Sequence, residues 1–327
     1  MRKCLHILWL VGLFGLLGCG NRENPPYTYY YWRTVFRLDE TEKKALEAAP
    51  LEPFYVRYFD VDKVDGQAQA LAPIIVKENK VPNGKIVVPT VFITNRTFFG
   101  VSEGEAASLA AWTFQQIKQR QVSFGGGAFP EIQIDCDWTA STRDNFFFFL
   151  KELKRISSVK VSSTLRLHQV RDRKVMGVPP VDKVYLMCYS TSSPLEATER
   201  NSILDVALLK NYLASVDRYP VKNMDIALPI YSWGIVTNHL GRHKLINALK
   251  VNDLYAEGLR KTSADEAVVT RDGFYFGYFL NKGFKIKVEE VSEEQLAEVT
   301  AFLNRKLGSY RVVYYHLDHE FINNRIK

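Results

Sequence analysis

Ile132-Gln133-Ile134-Asp135-Cys136-Asp137-Trp138-Thr139 is the stretch on which the reading of this 327-residue chain turns. It is a β-like run that ends in two acids. Side chains two apart on a strand share a face, about 6.6 Å from one another along it, so Asp135 and Asp137 point to one side and Cys136 to the other. Two carboxylates facing the same space raise each other's proton affinity unless a cation or backbone amides hold them. Arg57 and Arg166 are the arginines placed to do so.

That run is one of eight. The others are Tyr29 to Leu38, Phe54 to Phe59, Lys85 to Thr94, Val159 to Leu167, Lys183 to Tyr189, Asn223 to Ile230 and Tyr310 to His316. Amphipathic stretches separate most of them: Glu40 to Ala49, Glu103 to Gln121, Arg143 to Ser157, Ser202 to Val216 and Ser292 to Leu307. Strands alternating with helices argue for an α/β fold of parallel β-α units, and eight of them for a (β/α)8 TIM-like barrel. Phe146 to Phe149 reads as core packing of a helix. After the second run only a partial helix fits, and little more than a loop follows the fifth. Between Ile230 and Ser292 the chain is too long for one crossover. Phe274 to Leu280 and Phe284 to Glu290 flank Asn281-Lys282-Gly283 there, which predicts a hairpin and a small β-rich insertion in the seventh β-α unit, at about 251–290. About eleven residues follow the eighth strand, too few for a full last helix.

The N-terminus carries a second signal. Arg2 and Lys3 precede an apolar stretch from Ile7 to Leu17, the layout of a secretory signal peptide over residues 1–18. At ~11 residues it would rise only about 17 Å as a helix, against roughly 30 Å of hydrocarbon. It ends in Leu16-Leu17-Gly18-Cys19, which resembles the lipobox of bacterial lipoprotein precursors. The resemblance implies cleavage before Cys19, lipidation of its sulfur, and firm attachment to a bilayer by two or three acyl chains. A polar tether over residues 19–27 would then lead to a single barrel domain over residues 28–327. The body is expected in the periplasm or outside the cell, on the cell membrane or the outer membrane.

Composition excludes other classes. The formal charge of +7 falls to +5 once Arg2 and Lys3 leave. Basic residues are scattered among acids, which argues against a nucleic-acid partner. No Gly-rich loop-to-helix cradle for phosphate occurs. His168, His316 and His319 lack metal-ligand spacing, so neither a metal nor another cofactor is expected. Cys136 and Cys188 lie in strands that are not neighbours, and read as small buried hydrophobes, not a disulfide.

In such barrels the working groups come from the strand C-termini and the loops after them. In strand order those tips supply Arg57, Asp60 and Asp62; Thr94 and Asn95; Asp135, Asp137, Trp138 and Thr139; Arg166 and His168; Tyr189 and Ser190; Tyr231 and Trp233; and His316, Asp318, His319 and Glu320. Rings stack on sugar faces and carboxylates accept from hydroxyls, so the mixture suits a glycan or oligosaccharide. Trp138 and Trp233 are candidates for the floor of a sugar groove, and Trp32 reads equally as floor or core.

Three of these tips resemble glycoside hydrolase family 18, the chitinase-like barrels. Ile134-Asp135-Cys136-Asp137-Trp138 resembles the family's acidic fourth-strand signature. Leu186-Met187-Cys188-Tyr189 resembles its Met-x-Tyr sixth strand. Ala227-Leu228-Pro229-Ile230-Tyr231 resembles its Gly-x-Pro-x-Tyr seventh strand, which an inserted module often follows. Closer still, the chain resembles bacterial lipoproteins that carry such a barrel. In that family the sugar's own acetamido oxygen attacks the anomeric carbon, a Glu ending the fourth-strand motif protonates the leaving oxygen, and the Asp two residues before it steadies the oxazolinium ion. The resemblance assigns the stabilising role to Asp137, the inner position to Asp135 and the family tyrosine to Tyr189. The Glu position is Thr139, and a threonine hydroxyl is no general acid near neutral pH.

Two functions follow. A hydrolase would draw its proton from another carboxyl, Glu320 first, then Asp318, Asp60 or Asp62. Asp137 would act with it, Tyr189 would orient the substrate, and Trp138 and Tyr231 would stack. A barrel that has lost catalysis would bind glycan only, or serve as an envelope scaffold docking through its inserted hairpin.

Overall fold

The computed structural model describes residues 24–78, 81–195 and 200–322. Eight parallel strands form a closed ring: β1 (Tyr27–Tyr31), β2 (Pro53–Val64), β3 (Ile86–Ile93), β4 (Glu131–Asp135), β5 (Lys160–Leu165), β6 (Lys183–Met187), β7 (Met224–Pro229) and β8 (Val312–Tyr315). Each pairs with its neighbours in sequence. The ring shuts because β1 pairs with both β8, at Tyr27↔Val312, and β2, at Tyr30↔Tyr55. All five residues of β4 and all six of β7 are buried, as expected for parallel strands covered on both faces.

The long helices start where their caps say they should. Ser102 and Glu105 form a capping box at the head of α2 (Glu103–Gln121), after α1 (Glu40–Ala48), which Asp39 and Glu42 cap in the same way. In α3 (Arg143–Ser157) Phe146 and Phe149 are buried against the barrel. The connection after β5 is two short helices, α4 (Leu167–Arg171) and α5 (Arg173–Met176), and the one after β6 is α6 (Val206–Tyr212), shorter than its amphipathic stretch. The last long helix, α7 (Glu293–Lys306), carries a Ser292–Gln295 box, and the single turn α8 (His319–Ile322) follows β8. A full eighth helix is absent among the described residues.

Two expectations give way. Among the described residues after β2 there is no partial helix: the strand turns at Asp65-Gly66 into an antiparallel partner, Gln67–Leu71. Both turn residues have positive φ, the backbone that Asp-Gly supplies to a two-residue hairpin. In the insertion, the hairpin joins Gly273–Tyr275 to Tyr278–Leu280 through Phe276-Gly277, not through Asn281-Lys282-Gly283. Lys285–Glu289 instead enters the middle of a five-stranded antiparallel sheet, between Trp233–Thr237 and Glu266–Val269. Its alternation explains why: Ile286 and Val288 fill a separate small core with Val236, Ile246 and Leu254. The β-rich module therefore runs from Trp233 to Glu289, taking in two strands ahead of residue 251.

The bottom of the barrel is closed by buried ionic contacts. Asp225 is paired with Lys183 and accepts from Arg311 Nε at 2.9 Å, while Tyr185 donates to Glu131 at 2.9 Å. Such groups are tolerable in the interior only because each has its partner. No described helix is long and apolar enough to cross a membrane, and Cys19 lies outside the described residues.

Candidate functional site

A cavity of about 860 Å³ opens at the C-terminal ends of the strands. It gathers Arg57 and Asp60 from β2, Asp135 and Asp137 from β4, Arg166 after β5, Tyr189 after β6, Tyr231 after β7, and Tyr315 and His316 from the end of β8. Trp32 and Trp233 complete its walls, and Asp318 and Glu320 lie at its outer edge. Asp137, Tyr189 and Tyr231 thus share one space, as the three strand motifs require.

A local irregularity sets the second strand's contribution. Arg57 and Asp60 are three residues apart and would face opposite sides of a regular strand. The register of β2 against β3 slips between Arg57 and Phe59. A bulge of this kind re-aims the side chains after it, and Arg57 Nε then donates to Asp60 Oδ1 at 2.7 Å.

The carboxylates occupy different environments. Asp60 is held by Arg57. Asp137 is exposed at the rim, 3.7 Å from Arg166. Asp135 is buried and accepts a 2.6 Å hydrogen bond from Thr164 Oγ1. Burial, with the charge of Asp137 adding to it, pushes the Asp135 carboxyl up to about 7. Asp62 does not reach the cavity. It accepts from Arg96 Nε at 2.6 Å, from Thr94 Oγ1 at 2.6 Å and from the Lys63 amide at 2.8 Å, and the Arg96 bond leads in holding it below the usual carboxylate range. This is a clamp between β2 and the turn after β3, not an acid for catalysis.

The floor is aromatic. Tyr189 stacks on Tyr315, with centroids 5.2 Å apart and planes at 24°. Tyr231 meets Tyr315 edge-on at 5.7 Å and Trp233 at 5.2 Å, and Trp32 lies 5.5 Å from Tyr315. Trp233 donates from Nε1 to the buried Glu289 at 2.9 Å, which fixes the ring. Tyr315, central to this cluster, escaped the sequence reading. Its signal was an aromatic one place before His316, at the end of a strand.

Trp138 is not part of the floor. It is fully buried, stacks on Phe146 at 5.2 Å and donates from Nε1 to the Met176 carbonyl at 2.8 Å. The alternation that turns Asp135 and Asp137 inward turns the residue between Asp137 and Thr139 outward, under α3. His168 lines a separate recess with Arg166, Tyr212 and Trp233; burial lowers its proton affinity. His316 is kept neutral near pH 7, its pKa lowered to about 4 by burial. Asp318 faces Arg33 at 3.6 Å, and the exposed Glu320 lies 3.0 Å from His319. Thr139 sits among hydroxyls and an amide: Ser141 at 2.9 Å, Thr142 at 3.3 Å and Asn95 at 3.4 Å. Cys136 and Cys188 are buried and unpaired. Away from the cavity Asp39, Glu42 and His319 approach one another, with Asp39 capping α1 and Glu42 bonded to Arg33.

No protein-family model matches the sequence, and no curated protein does. Solved structures do match. The Bacillus cereus spore cortex-lytic enzyme SleL superposes over 90% of this chain and 71% of its own, with 16% identity and a TM-score of 0.55. A chitinase from Chromobacterium violaceum covers 89% of this chain and 96% of its own, at 15% identity and a TM-score of 0.51. A glycoside hydrolase family 18 N-acetylglucosaminidase from Paenibacillus barengoltzii covers 92% and 98%, at 11% identity and a TM-score of 0.50. The chain therefore has the chitinase-like (β/α)8 barrel fold of glycoside hydrolase family 18, with a β-rich module inserted after the seventh strand.

Proposed function

We propose that this protein is a lipid-anchored, extracytoplasmic barrel that binds a glycan in its cavity without cutting it by the family 18 route. The observation that carries the reading is the pairing of an aromatic floor (Trp32, Tyr189, Tyr231, Trp233 and Tyr315) with carboxylates at one rim of one cavity. Apolar ring faces suit the C–H faces of sugars, and charged acceptors suit their hydroxyls. Against cleavage stands Thr139, which follows β4 at the place in the motif where the resemblance puts the family's proton donor.

The replacement acids considered from sequence do not mend this. Asp62 is clamped by Arg96, Asp60 is bound to Arg57, Asp318 faces Arg33, and Glu320 is solvent-exposed beside His319. The Arg96 bond holds Asp62 below the usual carboxylate range, so it has no proton to give near neutral pH. Calorimetry of the purified protein against a glycan panel, with reducing ends assayed in parallel, tests the reading: saturable binding without release supports it, and turnover overturns it. The anchor rests on Leu16-Leu17-Gly18-Cys19. Incorporation of labelled palmitate that persists in Cys19→Ser would remove it.

A further inference from the structure

Asp135 is the odd member of the cavity's acids. Asp60, Asp137 and Asp318 each face an arginine. Asp135, 9% exposed in the floor, has no Lys, Arg or His within ion-pair distance among the described residues, and only the Thr164 hydroxyl bonds to it. A buried carboxylate without a cation is costly to ionise, and burial accordingly drives its carboxyl up to about 7. The groups that face it are Asp60, Asp137 and Arg166, together with the phenols of Tyr30, Tyr189 and Tyr315, which burial and the charge of Asp135 hold protonated. Arg166 is the one cation in this set, and it lies beyond ion-pair distance of Asp135 while facing Asp137 at 3.7 Å. Tyr189, stacked on Tyr315 with Tyr231 edge-on, lines the same cavity as Asp135, and aromatic rings attract compact cations most strongly where water is excluded.

A buried carboxyl that lacks a paired cation and shares its cavity with aromatic rings is the complement of an ammonium group. We propose that the cavity floor recognises an amino sugar through its protonated amine, the ammonium seated between Asp135 and the rings of Tyr189 and Tyr315. This rests on the glycan reading above and names the sugar class. An N-acetylated sugar would bring a neutral amide to the same place and leave Asp135 to keep its proton. An amino sugar would displace that proton and supply the missing positive charge.

The test is calorimetry of the full-length protein near pH 6 with a glucosamine tetramer and, separately, with its fully N-acetylated counterpart. The glucosamine tetramer should bind about tenfold tighter or better, the size of one desolvated cation contact. Its binding should release protons, read as a heat that changes with the buffer's own ionisation enthalpy, whereas the acetylated tetramer should release none. Asp135→Asn keeps the shape and the Thr164 contact, and should erase the preference for the glucosamine tetramer over its acetylated counterpart. Equal or tighter binding of the acetylated tetramer, or a preference that survives in Asp135→Asn, overturns the inference and leaves the glycan reading standing. Binding of neither tetramer by the wild-type protein, while another glycan binds, also overturns it. Failure of every glycan sinks both. The proton-release measurement needs no variant, so the proposal stays open to refutation even if Asp135→Asn does not fold.

Discussion

Thr164 Oγ1 donates to Asp135 Oδ1 at 2.6 Å, from one barrel strand to its neighbour across the floor of the cavity. A donor to the ionised form lowers a carboxyl's proton affinity, and here burial outweighs it. The folded protein therefore keeps the Asp135 proton up to about pH 7, whereas the unfolded chain releases it near pH 4. Between those values the folded state binds more protons, so this residue's contribution to stability falls as pH rises through the window and levels off above it. Asp135→Asn should match the wild type near pH 4 and be more stable at pH 8, by on the order of 1–4 kcal/mol. Urea denaturation at both pH values checks it; an equal difference at the two would contradict the assignment.

Asp62 should behave in the opposite sense. Its carboxyl is held below the usual range, first by Arg96, so its bonds stabilise the fold above about pH 4 and are lost as pH falls below that. Asp62→Asn is expected to lower Tm at pH 7, to approach wild type in acid, and to leave glycan affinity unchanged. A loss of binding would return Asp62 to the site.

Trp138 separates a residue of the core from one of the groove. Truncating a buried aromatic of this size costs about 3–5 kcal/mol, and Trp138→Ala also strands the Met176 carbonyl. Trp138→Phe, which keeps the packing on Phe146, should cost less and bind glycan as the wild type does. Denaturation paired with calorimetry reads both quantities. Weakened binding by a fully stable Trp138→Phe would contradict its placement.

Trp32 lies on the other side of that division, in the cavity wall beside Tyr315. Trp32→Ala should weaken glycan binding about tenfold, the effect of losing one stacked ring at ~1.4 kcal/mol. Its fluorescence should respond to ligand in the parent protein.

The closed ring was legible because eight β-branched runs and five amphipathic stretches repeat one unit, and parallel strands buried on both faces read as continuous apolar runs. The limits of α2 and α3 coincide with their amphipathic stretches. Part of the site was legible for the same reason: strand ends fix where side chains can meet, and Asp137, Tyr189 and Tyr231 meet there. What failed was phase. The alternation that faces Asp135 and Asp137 inward also faces Trp138 outward, and the bulge that brings Arg57 to Asp60 leaves no mark in composition. Asp62 was misjudged because its partner Arg96 lies 34 residues away on a turn after another strand, a pairing that only the closed ring creates. Asp65-Gly66 is the local signal of the hairpin after β2, and helical period in the stretch around it points the other way.

Thr139 offers the most direct probe of the relation between this cavity and the hydrolases whose fold it shares. Its hydroxyl lies 2.9 Å from Ser141 Oγ and 3.3 Å from Thr142 Oγ1, so its surroundings are polar. Thr139→Glu would place a carboxyl two residues beyond Asp137, at the place in the motif where the resemblance puts the family's Glu. A positioned general acid accelerates such a step by about 10²–10⁴-fold. The resemblance makes the acetamido oxygen the nucleophile, so the gain should be confined to N-acetylated oligomers, with fully de-acetylated ones bound but uncut. Reducing-end release by Thr139→Glu, set against the wild type and against Thr139→Glu/Asp137→Asn, measures it. A folded, ligand-binding Thr139→Glu that releases nothing would mean that Asp137 and Tyr189 are arranged for recognition alone.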